Sequence, residues 1–330
     1  MPKRYIINTA ILALLLIVGN TITQGGILGR AQTSIIIQVG FSIILAVSLN
    51  LVTGYLGQLP LGHAGFMAVG AYTAGLFWRA AVLPSGMSMV AGIVLAGIVA
   101  AIFGIIIGIP ALRLKGDYLA IITLGFGEII RVLINNLDSI TFGARGLSGI
   151  PRYSNFLVVY VCVIVTCIAI HMLMKSRHGR AILSIRGNEI AAESCGINTT
   201  YYKVMAFAFS AFFAGVAGAL MAGNLGILNP ANFDFMQSIN ILMIVVLGGL
   251  GSMFGSVVAA TVLIYLPFLM QPLNDWRMII YALLLIIVML FKPSGLMGSY
   301  DFSLSRILEK AINIGRNPKA KKEDETHEGS

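Results

Sequence analysis

The most specific arrangement of polar side chains in this chain lies between Arg186 and Gly196, in the segment RGNEIAAESCG. Asn188 is a good N-cap, Glu189 suits the positive N-terminus of a helix, and Gly196 suits the position just past a helix C-terminus. The spacing predicts a helix of about two turns, too short to be stable alone in water. Such a helix could dock another protein, because Glu189 and Glu193 can accept charged hydrogen bonds from it.

Two small side chains, Ala191 and Ala192, would let the surface of a partner approach this short helix closely. The alternative is a solvated loop helix that only connects two apolar segments. The spacing of the residues leaves both interpretations open.

A second polar pair, Glu128 and Arg131, lies one helical turn apart inside the apolar segment LAIITLGFGEIIRVLIN. Ionisable side chains are costly at membrane depth unless they are paired or hydrated. The pair is therefore a candidate gate. The alternatives are a static internal ion pair, or an arginine that reaches outward beyond Asn135.

Other polar side chains in apolar surroundings are candidates for lining a path through the membrane. His63 is flanked by glycines and could contact a solute, but it could equally satisfy backbone groups that a helix break leaves unpaired. Gln237 and Asn240 stand near the start of a late apolar segment, where interhelical hydrogen bonds are the alternative. Gln58 completes this candidate set.

The motifs of an enzyme are missing from the sequence. No GxxxxGK[ST] loop occurs, so the chain is not expected to bind ATP in that manner. The four histidines are widely separated, no metal-ligand spacing is present, and no pair of carboxylates suggests a hydrolase. We therefore predict a protein that is not an enzyme and holds no metal.

Two glycine clusters must shape the elements around these polar residues, and they lie at residues 54–66 and 247–255, one in each half of the chain. Glycine and proline at such positions predict interrupted helices, and interrupted backbone at membrane depth commonly lines a pathway. Close packing of helices through small residues is the alternative. The predicted break residues are Gly57, Pro60, Gly62, Gly65, Gly248, Gly249 and Gly251.

The composition places these elements in a membrane: 58% of the 330 residues are hydrophobic and 11% are charged, and the mean hydropathy is +0.90. Apolar segments lie near residues 5–20, 34–53, 63–78, 88–108, 117–135, 156–174, 204–224, 238–250, 253–270 and 277–291. At roughly 20 residues per crossing, we predict an all-α polytopic integral membrane protein with about ten transmembrane helices.

The distribution of basic residues predicts that both termini are cytoplasmic. With the N-terminus inside, sixteen Lys and Arg residues fall on the cytoplasmic side and five on the other. The net charge of +9 therefore reflects membrane orientation rather than nucleic-acid binding. Residues 1–300 are predicted to form the transmembrane domain, including a cytoplasmic loop at 175–203, and residues 301–330 an amphipathic helix and disordered tail.

Five ordered motifs resemble the permease subunit of branched-chain amino-acid ABC importers. They are LGQLPLGHAGFMAVGAYTAGL, LKGDYLAIITLGFGEIIR, SRHGRAILSIRGNEIAAESCGINTTYYKVMAFAFSAFFAGVAGAL, ILMIVVLGGLGSMFGSVV and LFKPSGLMG. The resemblance runs from about Leu45 to Gly298, which is most of the chain. Within it, RGNEIAAESCG is similar to the EAA-type coupling segment of ABC importer permeases.

The resemblance implies a set of partners in the bacterial inner membrane: a related second permease subunit, two cytoplasmic ATPases that use ATP and Mg, and an extracytoplasmic solute-binding protein. This chain itself would bind no cofactor. The resemblance also implies that the ATPases dock on Arg186, Asn188, Glu189, Ala191, Ala192, Glu193 and Gly196. Gly187 departs from the family, which often has an acidic residue there, and Pro60 stands where a small hydroxyl residue is common.

The expected function is inward transport of a small polar solute, with leucine, isoleucine and valine as the default that the resemblance implies. Permeases of urea, amides or other amino acids would share the same coupling chemistry. An ion-coupled secondary transporter or channel, with Glu128 at its ion site, is the alternative from a different class. A capped docking helix favours the ATP-driven importer, since a secondary transporter has no need of one.

Overall fold

The computed structural model describes residues 29–80, 84–114 and 116–270 continuously, with isolated positions outside these ranges. Nearly all regular structure there is helical. The α-helices are α1 (Arg30–Asn50), α2 (His63–Arg79), α3 (Ser85–Ala111), α4 (Asp117–Asn136), α5 (Asp138–Thr141), α6 (Phe156–Lys175), α7 (Arg177–Gly187), α8 (Glu189–Ser194), α9 (Thr199–Leu225), α10 (Phe235–Gly248) and α11 (Met253–Leu269). A π-helical turn, Leu51–Tyr55, extends α1, and 3₁₀ turns lie at Gly143–Arg145 and Pro230–Phe233.

The prediction of an all-α membrane protein is confirmed for the described residues. Eight of the ten predicted apolar segments coincide with helices α1 to α4, α6 and α9 to α11. The segments predicted near residues 5–20 and 277–291, and the predicted tail at 301–330, lie outside the continuous described ranges.

Four of the described helices have both the length and the apolar composition needed to cross a bilayer. They are Ala31–Tyr55, which includes the π turn, Ser85–Ala111, Phe156–Lys175 and Thr199–Leu225. Helices α10 and α11 are apolar but shorter.

Helix α9 is the centre of the bundle and packs against α1, α2 and α3. Its sequence, AFFAGVAGAL at the middle, keeps side chains small where neighbouring helices cross. A methyl group added at Gly70 of α2 would collide with the backbone of Gly215 in α9. Small residues at helix crossings are the means by which membrane helices pack without a hydrophobic driving force between them.

At one end of the bundle, a short antiparallel ribbon joins the segments that follow α5 and α9. Leu147 pairs with Leu228 and Ser148 with Ile227. Ser154 Oγ donates to Leu220 O at 2.7 Å, which fixes the start of the segment before α6 against α9. The opposite end contains the loop 175–203 and the glycine clusters, and it carries the candidate site.

Candidate functional site

The short helix predicted between Asn188 and Gly196 is present as α8, Glu189–Ser194. At its start, Ala191 N donates to Asn188 Oδ1 at 3.1 Å, which is the expected N-cap. At its end, Gly196 has φ +82, and its N–H donates to Glu193 O at 2.9 Å. Ile197 N donates to Ala192 O at 3.1 Å, which completes a Schellman motif.

Helix α8 has one face turned toward the bundle and one turned toward solvent. Ala192 is 4% exposed and packs against this chain. The expectation that Ala191 and Ala192 together offer an open face is therefore wrong for Ala192, which lies on the side of α8 that is turned toward the bundle. Ile190, which is 73% exposed, shares the outer face with exposed Glu193.

An ion pair fastens α8 to α9. Lys203 Nζ lies 2.7 Å from Glu189 Oε1, with the lysine side chain 4% exposed and the glutamate side chain 23% exposed. A buried ammonium group needs such a partner, because leaving it unpaired costs several kcal/mol, by an estimate of roughly 3–5. Glu189 was predicted to receive hydrogen bonds from another protein, yet its carboxylate already binds a cation of this chain.

The two glycine clusters meet beside this loop and serve as connections between successive helices. Residues 56–62 join the π turn to α2, and residues 249–252 join α10 to α11. A methyl group added at Gly54 would collide with the backbone of Gly251. At the contact of Gly54 with Gly251, the glycines allow the backbones to pack closely, which was the alternative to lining a pathway.

Asn50 ties the end of α1 to the connection at residues 249–252 and to α11. Its Nδ2 donates to Ser252 O and to Ser256 Oγ, both at 3.0 Å. Its Oδ1 accepts the Gly251 N–H at 2.8 Å. Asn50 is 1% exposed, so these bonds satisfy a carboxamide that water does not reach.

The other predicted break residues lie within the same connections or next to them. Gly57 has φ +77, Gly249 has φ +107 and Gly251 has φ +88, conformations that favour glycine. Gly62 and Gly65 approach the α4 backbone at Thr123 and Gly127, Gly248 approaches Gly255 of α11, and Pro60 is buried.

The predicted ion pair of α4 is present. Arg131 Nε donates to Glu128 Oε2 at 2.7 Å, and the arginine and glutamate side chains are 34% and 27% exposed. Glu128 lies in a narrow cleft whose other walls include Gly65 of α2 and Asp234 and Ser238 at the start of α10. Ala64 N donates to Ser238 Oγ at 3.0 Å across this cleft.

The remaining path candidates do not converge on the cleft. His63 is 3% exposed, and its Nε2 lies 3.0 Å from Ser48 Oγ of α1. Gln58 is half-buried in the connection before α2, Gln237 is half-buried in the first turn of α10, and Asn240 is exposed. In this conformation His63 therefore faces protein, as expected for a polar group that stabilises the start of α2.

Three residues of this site carried signals that the sequence interpretation did not use. Lys203 falls on the same helical face as the apolar residues Ala206 and Phe207, which indicates burial. Ile190 is an apolar residue on the polar face that contains Glu193. Asn50 is an isolated polar residue at the end of a long apolar segment, where a carboxamide needs partners.

The chain was compared with known proteins. A family model described as the permease component of branched-chain amino acid transport systems matches residues 32–289. No solved structure matches the chain. Within the described ranges, no group of three or more His, Cys, Asp or Glu side chains is placed to hold a metal ion.

Curated relatives agree with the family match. The high-affinity branched-chain amino acid transport system permease protein LivM of Salmonella typhimurium is 37% identical over 302 residues, covering 81% of this chain and 70% of the relative. LivM of Escherichia coli K12 is 38% identical over 289 residues, covering 77% and 67%. LivH of Salmonella typhimurium is 24% identical over 279 residues, covering 77% and 90%. These relatives are transport permease subunits and not enzymes, and the chain belongs to the family of branched-chain amino acid transport system permease components.

Proposed function

We propose that this chain is one permease subunit of an ATP-driven importer and that its solute is a branched-chain amino acid. The observation that carries the proposal is helix α8, a capped two-turn helix with one face fastened to the bundle and the other open. A segment built in this way can receive motion from a soluble ATPase and pass it to the helices. The family match and the LivM relatives support the choice of solute.

The remaining parts of the importer follow from the same proposal. Relatives of both the LivM and LivH types support a pairing with a related second permease, so that each supplies half of the path. Two cytoplasmic ATPases would use ATP and Mg, and an extracytoplasmic binding protein would deliver the solute. Residues 1–300 would cross the bacterial inner membrane about ten times, with both termini cytoplasmic. Residues 301–330 would form the cytoplasmic tail.

Within the docking segment, the outer face of α8 makes the contact with the ATPase. Ile190 supplies exposed apolar area and Glu193 supplies a carboxylate for charged hydrogen bonds. Asn188, Ala191 and Gly196 complete the docking face. Arg186 lies just before it, in the last turn of α7, and Glu189 and Ala192 hold the segment from inside. The Glu128–Arg131 pair would gate the path. Gln58, His63, Gln237 and Asn240 do not line the Glu128 cleft in this conformation and would reach the path only after the helices move.

Reversing the charge of Glu193 tests this proposal. The assay uses proteoliposomes with both permeases, the ATPases and the binding protein. There we expect Glu193→Lys to lower ATP-dependent leucine uptake about tenfold or more, because the lysine would repel the cationic groups of the ATPase that donate to Glu193 under this proposal. Asn136→Lys, at an exposed position outside the loop, serves as the control. Uptake and ATPase co-purification equal to the control would contradict the docking assignment, and uptake without ATP would favour a secondary transporter.

The native thiol of Cys195 reports both orientation and docking. Cys195 is exposed beside α8, whereas Cys162 and Cys167 are partly buried in α6. We expect a membrane-impermeant maleimide to label Cys195 in inside-out vesicles and not in right-side-out vesicles, and bound ATPases to slow this labelling. A Cys195→Ser variant measures the background. Labelling from the extracytoplasmic side would contradict the proposed orientation.

A further inference from the structure

Arg186 lies where the ends of three helices converge. It is in the last turn of α7. The connection after the π turn passes beside it, since a methyl group built on Gly57 would lie 3.1 Å from Arg186 Cγ. The connection after α10 also passes beside it, since a methyl group built on Gly251 would lie 3.2 Å from Arg186 Nη1.

Each of these helix ends presents backbone carbonyl groups and a partial negative charge, equivalent to roughly half an elementary charge for a well-formed helix. Three such ends near one another repel unless a cation lies between them. Arg186 brings a positive charge next to these ends, with Nη1 near Gly251 and the side chain exposed. Within the described ranges the Arg186 side chain makes no ion pair, so its charge is not neutralised by a carboxylate of this part of the chain.

The stem of Arg186 can occupy this position only because its neighbours lack side chains. Gly57 and Gly251 both have positive φ values, +77 and +88, and a methyl group on either one would crowd the arginine side chain. Gly54 in turn contacts Gly251 directly. The Arg186 side chain therefore lies against both connections, with its stem beside Gly57 and Nη1 beside Gly251, and α8 begins three residues after Arg186.

We propose that Arg186 is a positioning residue that transmits movement of the coupling segment to the two glycine connections, at residues 56–62 and 249–252. This inference rests on the proposed function and deepens it. When an ATPase displaces α8, the end of α7 moves with it, and the Arg186 side chain, which lies against Gly57 and Gly251, displaces the two connections. The two connections then open or close the end of the path that faces the ATPases. Arg186 thus acts through its contacts with the two connections, although its side chain is exposed.

The test is a comparison of Arg186→Ala with Arg180→Ala in the complete importer in proteoliposomes. Arg180 and Arg186 are both exposed on the same helix, α7, but neither Gly57 nor Gly251 approaches Arg180 closely. For Arg186→Ala we expect ATPase co-purification and ATP hydrolysis within about twofold of the control, and leucine uptake per ATP lower by about tenfold, within the range of measured coupling energies. Arg180→Ala is expected to keep normal uptake per ATP.

Two results would overturn the inference. Uptake per ATP equal to that of Arg180→Ala would show that the contacts of Arg186 transmit nothing. Loss of ATPase co-purification in Arg186→Ala would make Arg186 a docking residue, which leaves the proposed function intact; that function is tested separately with Glu193→Lys. If Arg186→Ala is not recovered as a monodisperse complex, Arg186→Gln, which keeps most of the stem against Gly57 without the charge, is judged by the same two criteria.

Discussion

Glu189→Ala is expected to destabilise the purified chain by roughly 3 kcal/mol and to abolish ATP-dependent uptake. The reason is the partner that remains: Lys203 is 3% exposed, so its ammonium group would be left buried without a counter-charge. Thermal unfolding in detergent measures the first effect. Uptake by the reconstituted importer measures the second, because α8 would no longer be fastened to α9.

The reverse truncation is expected to cost less. Lys203→Met leaves Glu189, whose side chain is 23% exposed and can be solvated by water, and the methionine fills the space that the lysine stem occupied. We expect Lys203→Met to destabilise the chain by roughly 1 kcal/mol or less and to lower ATP-dependent uptake only in part. Exchanging the two charges, as Glu189→Lys with Lys203→Glu, should recover part of the stability that either charge reversal alone removes.

Glu193→Ala is the matched control, because Glu193 lies on the same short helix but is exposed. It should leave the unfolding temperature unchanged while weakening ATPase co-purification. Glu189→Ala should lower the unfolding temperature. Equal unfolding temperatures for the two variants would contradict a stabilising role for the Lys203–Glu189 pair.

Features that depend on neighbouring residues were the ones that could be predicted from the sequence. Helix α8 is defined by a cap at Asn188 and a glycine at Gly196, each of which acts within a few residues of chain. The apolar segments are likewise visible as continuous stretches. The Glu128–Arg131 pair was predictable because a spacing of three places both side chains on one helical face.

The features that could not be predicted depend on how distant segments pack. Which side of α8 is buried was not evident from EIAAES, since it depends on where α9 lies, and so Ala192 was placed on the wrong side. The glycine clusters predicted interruptions but not the contact of Gly54 with Gly251. That contact requires α1 and α10 to end beside each other, which no local pattern encodes.

Asn50→Ala is expected to have the second large effect, a destabilisation of roughly 2–4 kcal/mol together with loss of uptake. The carboxamide makes three hydrogen bonds across about two hundred residues of sequence, to Gly251, Ser252 and Ser256. A net hydrogen bond contributes about 1 kcal/mol, and a buried group left without its partner costs about 1–3 kcal/mol. Thermal unfolding in detergent and uptake in proteoliposomes measure the two effects.

A second substitution separates the hydrogen bonds from the size of the side chain. Asn50→Asp keeps the shape and can still accept the Gly251 N–H, but it cannot donate to Ser252 O and it brings a carboxylate into a buried site. We therefore expect it to be no more stable than Asn50→Ala, although it fills the same volume. Asn136→Ala removes an exposed carboxamide that bonds to Val132 O, one turn earlier in the same helix, and should change neither measurement. If Asn50→Ala matched Asn136→Ala, the end of α1 would be held against residues 249–252 by backbone packing alone, without the carboxamide.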